Sequence, residues 1–68
     1  MNDDAFNLSV RRFLKQFGVS AQRQIERAVA EALESGKLSG KETLRATAQL
    51  RLEGLDVDTT IEGEITLG

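Results

Sequence analysis

From Thr43 to Leu67 apolar and polar residues alternate, and this period of two constrains the chain more than any other feature. Leu44, Ala46, Ala48, Leu50 and Leu52 fall on one side of an extended backbone; Thr43, Arg45, Thr47, Gln49 and Arg51 fall on the other. A second run places Leu55, Val57, Thr59, Ile61, Gly63, Ile65 and Leu67 against Asp56, Asp58, Thr60, Glu62, Glu64 and Thr66. Successive strand side chains point to opposite faces, so the pattern predicts two strands at about residues 43–52 and 57–67. One wet face and one apolar face make them an antiparallel hairpin.

Parity limits the turn between them. A three-residue loop would set Arg51 opposite Leu55 and turn one strand's apolar face to water, which excludes it. A two-residue Glu53-Gly54 turn and a four-residue loop over residues 53–56 both keep parity. The shorter loop pairs Arg51 with Asp56 and Arg45 with Glu62; the longer pairs Arg51 with Asp58 and Arg45 with Glu64. Opposite charges meet in both, so charge does not select the register. The longer loop is preferred because it spares Glu53 the positive φ of a type I′ turn.

Upstream the apolar spacing is three and four. Asn2, Asp3 and Asp4 offer capping oxygens and negative charge at a helix start. Phe6, Val10, Phe13, Leu14 and Phe17 then form one stripe, and Gly18 is a natural stop, which predicts a helix over about residues 4–16. Ser20 is read as the cap of a second helix over about 21–35. Its apolar face holds Ala21, Ile25, Ala28, Val29, Ala32 and Leu33, and Gly36 ends it. The expected fold is α+β: a single ααββ domain spanning 1–68, with both helices packed on one face of the hairpin.

A chain of 68 residues encloses only a thin core. It has no Cys and no His, which rules out disulfides and thiolate or imidazole metal sites, and no cofactor is expected. A two-stranded sheet leaves both edges unpaired, and edges invite pairing. A homodimer through the sheet edge is therefore expected.

The net charge is −2. Residues 1–36 hold five basic and five acidic side chains, and residues 37–68 hold four and six, so no basic face marks a nucleic-acid or membrane footprint. The Met-Asn-Asp-Asp start is wrong for a secretory leader, and no apolar run reaches spanning length. No membrane association is expected, and the expected location is the cytoplasm.

Three stretches imitate functional motifs. Asp56-Val57-Asp58-Thr59-Thr60-Ile61 looks like the nucleophile loop of haloacid-dehalogenase-type phosphatases. That chemistry needs a Lys, further acids and Mg²⁺ from a much larger domain, and only ten residues follow Asp58. The stretch also fails as a calcium loop, since Ile61 stands at the sharp-turn Gly position and Leu67 at that of the bidentate Glu. Gly36-Lys37-Leu38-Ser39-Gly40-Lys41-Glu42-Thr43 misses a phosphate-binding loop by one residue between its glycines, and has Glu42 where a hydroxyl is needed. The third, residues 13–35, resembles a helix-turn-helix with the hairpin as a wing. Arg11, Arg12, Lys15, Arg23 and Arg27 would then touch nucleic acid. Gln24 at an expected apolar position and acids on the wing argue against it. Without His or Cys the commonest general base and the best nucleophile are missing, so no enzyme is expected and no catalytic or metal-binding residue is assigned.

Asp4-Ala5-Phe6-Asn7, Arg12-Phe13-Leu14-Lys15, Gly18-Val19, Ile25-Glu26, Ser35-Gly36-Lys37-Leu38, Gly54-Leu55-Asp56 and Glu62-Gly63-Glu64-Ile65 carry a resemblance over essentially the full length. The chain resembles a small family of proteobacterial proteins known only as a domain of unknown function. The resemblance implies that this is the whole protein; it brings no activity, cofactor or site residue. The leading expectation is a small non-catalytic protein-interaction or regulatory module with an unidentified protein partner. Its candidate contact face is Asp56, Asp58, Glu62 and Glu64, which are otherwise solubilising charges on a wet sheet face. The alternative is a nucleic-acid-binding regulator using the helix-turn-helix-like pair.

Overall fold

The computed structural model describes all residues, Met1–Gly68, in the order helix, strand, strand. Two compact units divide the chain, Met1–Lys37 and Leu38–Gly68. The first is built on one helix, α1 (Asp3–Glu34), and the second on strands β1 (Thr43–Arg51) and β2 (Asp58–Thr66).

Asn2 starts α1 from an extended conformation, and its Oδ1 accepts the Ala5 amide at 3.0 Å, satisfying one of the four free N–H groups of the first turn. Asp3 and Asp4 add negative charge at the positive end of the dipole. At the far end the Ser35 amide donates to Glu31 O and the Gly36 amide to Leu33 O, while Gly36 turns to φ 82° and stops the helix.

The two expected helices are one. Gly18 does not adopt the left-handed conformation of a helix stop, and α1 runs through Phe17, Gly18, Val19 and Ser20 without a break. Glycine inside a helix costs about 1 kcal/mol relative to alanine. A stop would instead leave one set of carbonyls and a second set of amides without helical partners, which is the larger penalty. The apolar stripe also stays in phase across the glycine. Phe6, Phe17 and Ala28 recur at eleven-residue intervals, as do Val10, Ala21 and Ala32, and Leu14 with Ile25. An eleven-residue repeat is close to the natural helix period, so the stripe runs nearly straight along α1.

The hairpin follows the alternation. β1 pairs antiparallel with β2 from Thr43↔Thr66 to Arg51↔Asp58, with Arg45 opposite Glu64. This is the register of the longer loop. The ladder closes one pair sooner than that loop requires, so residues 52–57 form the connection. Leu55 N donates to Leu52 O at 3.2 Å, with Gly54 at φ 85° and Glu53 kept at negative φ. A positive φ at the third residue is the type II pattern, which glycine meets without strain. Beyond the ladder, Leu67 N donates to Glu42 O at 2.9 Å, extending the pairing into the connector.

Neither unit encloses a core of its own. No residue of the chain is buried, and the alternation in β1 is only between half-buried Leu44, Ala46, Ala48 and Leu50 and exposed neighbours. Ile61 on β2 is 56% exposed.

Gly18→Ala tests the continuous helix. A Cβ at Gly18 meets nothing within 4 Å. The substitution is expected to raise helical stability by about 0.5–1 kcal/mol, read from thermal unfolding at 222 nm. A loss of helix would mean that Gly18 is needed as a stop.

Candidate functional site

The outer face of the hairpin carries Arg45, Thr47, Gln49 and Arg51 on β1, with Asp58, Thr60, Glu62 and Glu64 on β2. These side chains bond largely to one another. Arg45 reaches diagonally to form an ion pair with Glu62 rather than with Glu64 directly opposite. Gln49 Nε2 donates to Asp58 Oδ1 at 2.7 Å, and Arg51 Nε lies 3.9 Å from the same oxygen. The ion pairs are exposed and water-screened, so they add little to stability. Of the four acids expected as a contact face, Asp58 and Glu62 are therefore engaged within the hairpin. Glu64 on β2 and Asp56 in the connection make no hydrogen bond or ion pair. The structure places three of the four on one strand and face, with Asp56 outside the ladder. No group of three or more acidic side chains converges closely enough to hold a metal ion.

On α1 the expected nucleic-acid contacts divide. Arg12, Lys15, Arg23 and Arg27 line one shallow groove along a single side of the helix, with Ser20 and Gln24 between them. Arg11 lies outside that groove. The turn of a helix-turn-helix does not form, because residues 13–34 belong to one unbroken helix. A recognition helix set at an angle to a supporting one is therefore absent from this segment.

The other side of α1 is apolar and wet. Phe6, Phe13, Leu14 and Phe17 are each about half exposed, and Val10 and Ile25 nearly as much. Sequence periodicity placed these residues on one face but assigned them to a core. Their exposure is what makes them a candidate contact surface.

The loop that imitates a phosphate-binding stretch already holds an anion of its own. The Ser39 amide donates to Glu42 Oε2 at 2.8 Å, and the Gly40 amide to Oε1 at 3.0 Å. The Lys41 amide adds a bond to Oε1 at 3.2 Å. These amides favour the carboxylate, so its pKa lies below the ordinary 4.5, the Ser39 amide acting most strongly. Sequence reasoning took Glu42 only as a mismatch at a hydroxyl position. The Ser39-x-x-Glu42 spacing was the available signal, since a Glu three residues after Ser can reach back to that residue's amide.

The carboxylate pKa is lowered on folding, so Glu42 steadies the loop at pH above its ordinary value and releases it as pH falls through the folded value. Amide exchange at Ser39, Gly40 and Lys41 is expected to lose protection below pH 4.5, and at neutral pH in Glu42→Gln. Equal protection in wild type and Glu42→Gln at pH 7 would remove this role.

No curated protein and no solved structure matches the chain. No helix is long and apolar enough to cross a membrane. A family model described as "Family of unknown function (DUF6494)" matches residues 1–68. The chain, with its single long helix followed by an antiparallel hairpin, belongs to that family.

Proposed function

We propose that this protein is a small non-catalytic interaction module whose apolar surface is completed by another polypeptide, and that it works in the cytoplasm. One observation carries the reading: no residue is buried, while Phe6, Phe13, Leu14, Phe17, Leu52, Leu55 and Ile61 stand in water. Isolated apolar side chains on a surface are ordinary, but a contiguous stripe of them marks a contact site. An isolated two-stranded hairpin is marginal in water, which adds a reason for a covering partner.

Self-association is the simplest form of this module. Each strand of the two-stranded sheet has one side without a strand neighbour, so a homodimer through the sheet edge remains available. The acidic face offers less than its composition suggests, because Arg45, Gln49 and Arg51 occupy Asp58 and Glu62. Asp56→Lys and Glu64→Lys are the substitutions that probe a basic partner without breaking hairpin pairs.

A second reading, a nucleic-acid-binding regulator, retains the groove lined by Arg12, Lys15, Arg23 and Arg27. It would act by phosphate neutralisation, giving binding that weakens steeply with salt. The interaction-module reading is preferred, since the helical pair that would insert into a groove does not form.

Sedimentation of the pure protein in the high-micromolar range tests the proposal. An assembled species is expected, and Phe13→Ser with Phe17→Ser should shift it toward monomer. A monomer in the same range, combined with no protein captured from native cells, contradicts the module. Retention on nucleic acid at low salt, lost in Arg23→Glu with Arg27→Glu, would favour the second reading.

A further inference from the structure

We infer that the partner of the helix stripe is a second copy of this chain, its α1 running antiparallel and centred on Val19. The inference rests on the interaction-module reading and specifies its occupant and geometry. The stripe is bulky in its first half and slim in its second: Phe6, Val10, Phe13 and Phe17 are followed by Ala21, Ile25, Ala28 and Ala32. Inverting the helix about residue 19 sets Phe6 against the second copy's Ala32, Val10 against Ala28, Phe13 against Ile25 and Phe17 against Ala21. Leu14 meets the second copy's Gln24, and three of these five layers join a larger side chain to an alanine, the alternation by which facing surfaces interdigitate without voids. Phe13 and Ile25, the bulkiest layer, lie at opposite margins of the stripe by the 100° step of the helix, where there is more room.

A parallel pair has no such fit. It would stack Phe6, Phe13 and Phe17 on their own copies at one end and Ala21, Ala28 and Ala32 on theirs at the other. Side-chain size sets the distance between packed helices at about 8–10 Å, so the axes would have to splay. The antiparallel pair needs one separation throughout, and it opposes the two helix dipoles.

The area suffices. Phe6, Phe13 and Phe17 are 50%, 55% and 48% exposed. At about 200 Å² for a phenylalanine side chain, each leaves about 100 Å² to be covered. Three rings from each copy, joined by Val10, Leu14 and Ile25 from both, reach the roughly 1,000 Å² that a specific contact requires. Arg12, Lys15, Arg23, Glu26 and Glu34 lie on the far side of α1 and stay in water, while Glu31, eighteen residues after Phe13 and on the same azimuth, stands at the margin of the stripe.

The chain has no Cys, so one introduced thiol takes one spin label. Ser9→Cys and Ser20→Cys lie outside the stripe. In the antiparallel pair, two Ser9→Cys labels are offset along the axis by about 30 Å, and two Ser20→Cys labels by about 3 Å. Electron–electron distance measurement is expected to give a long separation for Ser9→Cys and a distinctly shorter one for Ser20→Cys. A size exchange adds an independent readout. Phe17→Ala and Ala21→Phe should each weaken dimerisation at least tenfold, and the double variant should regain most of it. Short separations at both labels, or a double variant no better than its parents, overturn the antiparallel pairing while leaving an assembled module intact. A monomer without dipolar coupling overturns self-pairing, and capture of a different protein by that monomer would leave only the broader reading standing.

Discussion

Burial of apolar surface is the main force that offsets the chain entropy lost on folding, and neither the helix nor the hairpin encloses a core of its own. Its helix presents an apolar stripe and its hairpin an apolar face, yet no side chain is more than partly withdrawn from water. What the single chain does satisfy is local. The α1 amides and carbonyls bond within the helix, Asn2 and Gly36 close its ends, and β1 and β2 exchange their ladder. Hydrogen bonds of this kind add modestly to stability because water competes for the same groups. A helix in a protein draws most of its stability from packing its apolar face, and on α1 that face is half exposed at Phe6, Phe13 and Phe17.

The same dependence explains the distribution of charge. The polar face of the hairpin uses its charges on itself, through Arg45 with Glu62 and through Gln49 and Arg51 with Asp58. Glu42 spends its carboxylate on the amides of its own loop. These bonds engage the hairpin and its connector, while Arg12, Lys15, Arg23 and Arg27 on α1 form no ion pair. The opposite side of α1 is apolar and half exposed at Phe6, Phe13, Leu14 and Phe17, and the proposed interaction module rests on that side.

Much of the hairpin was legible in the sequence because a strand has a short period and a one-residue slip exposes its apolar face. The alternation from Thr43 onward placed both strands to within about one residue, and the parity argument excluded the odd loop. The choice of the longer loop followed from the strain of Glu53 at positive φ, and the turn indeed puts only Gly54 there. The helix was misread at Gly18. Glycine followed by Val19 and Ser20 has the composition of a stop and a new cap, but composition does not weigh the unpaired groups that a break would create. The phase of the stripe does weigh it, since Phe17, Ala21 and Ile25 continue the line of Phe6 and Val10. The bonds of the acidic face are not legible in the same way, because Asp58 and Glu62 meet Gln49, Arg51 and Arg45 only across the hairpin, far apart in the sequence.

If apolar burial is completed only between chains, folding and association are one equilibrium, and stability must depend on protein concentration. Circular dichroism melting at 222 nm over a hundredfold range of concentration measures this directly. A cooperative transition is expected, its midpoint rising steadily with concentration. A cooperative transition with the same midpoint at every concentration would contradict it, because the chain would then hold its structure without a partner.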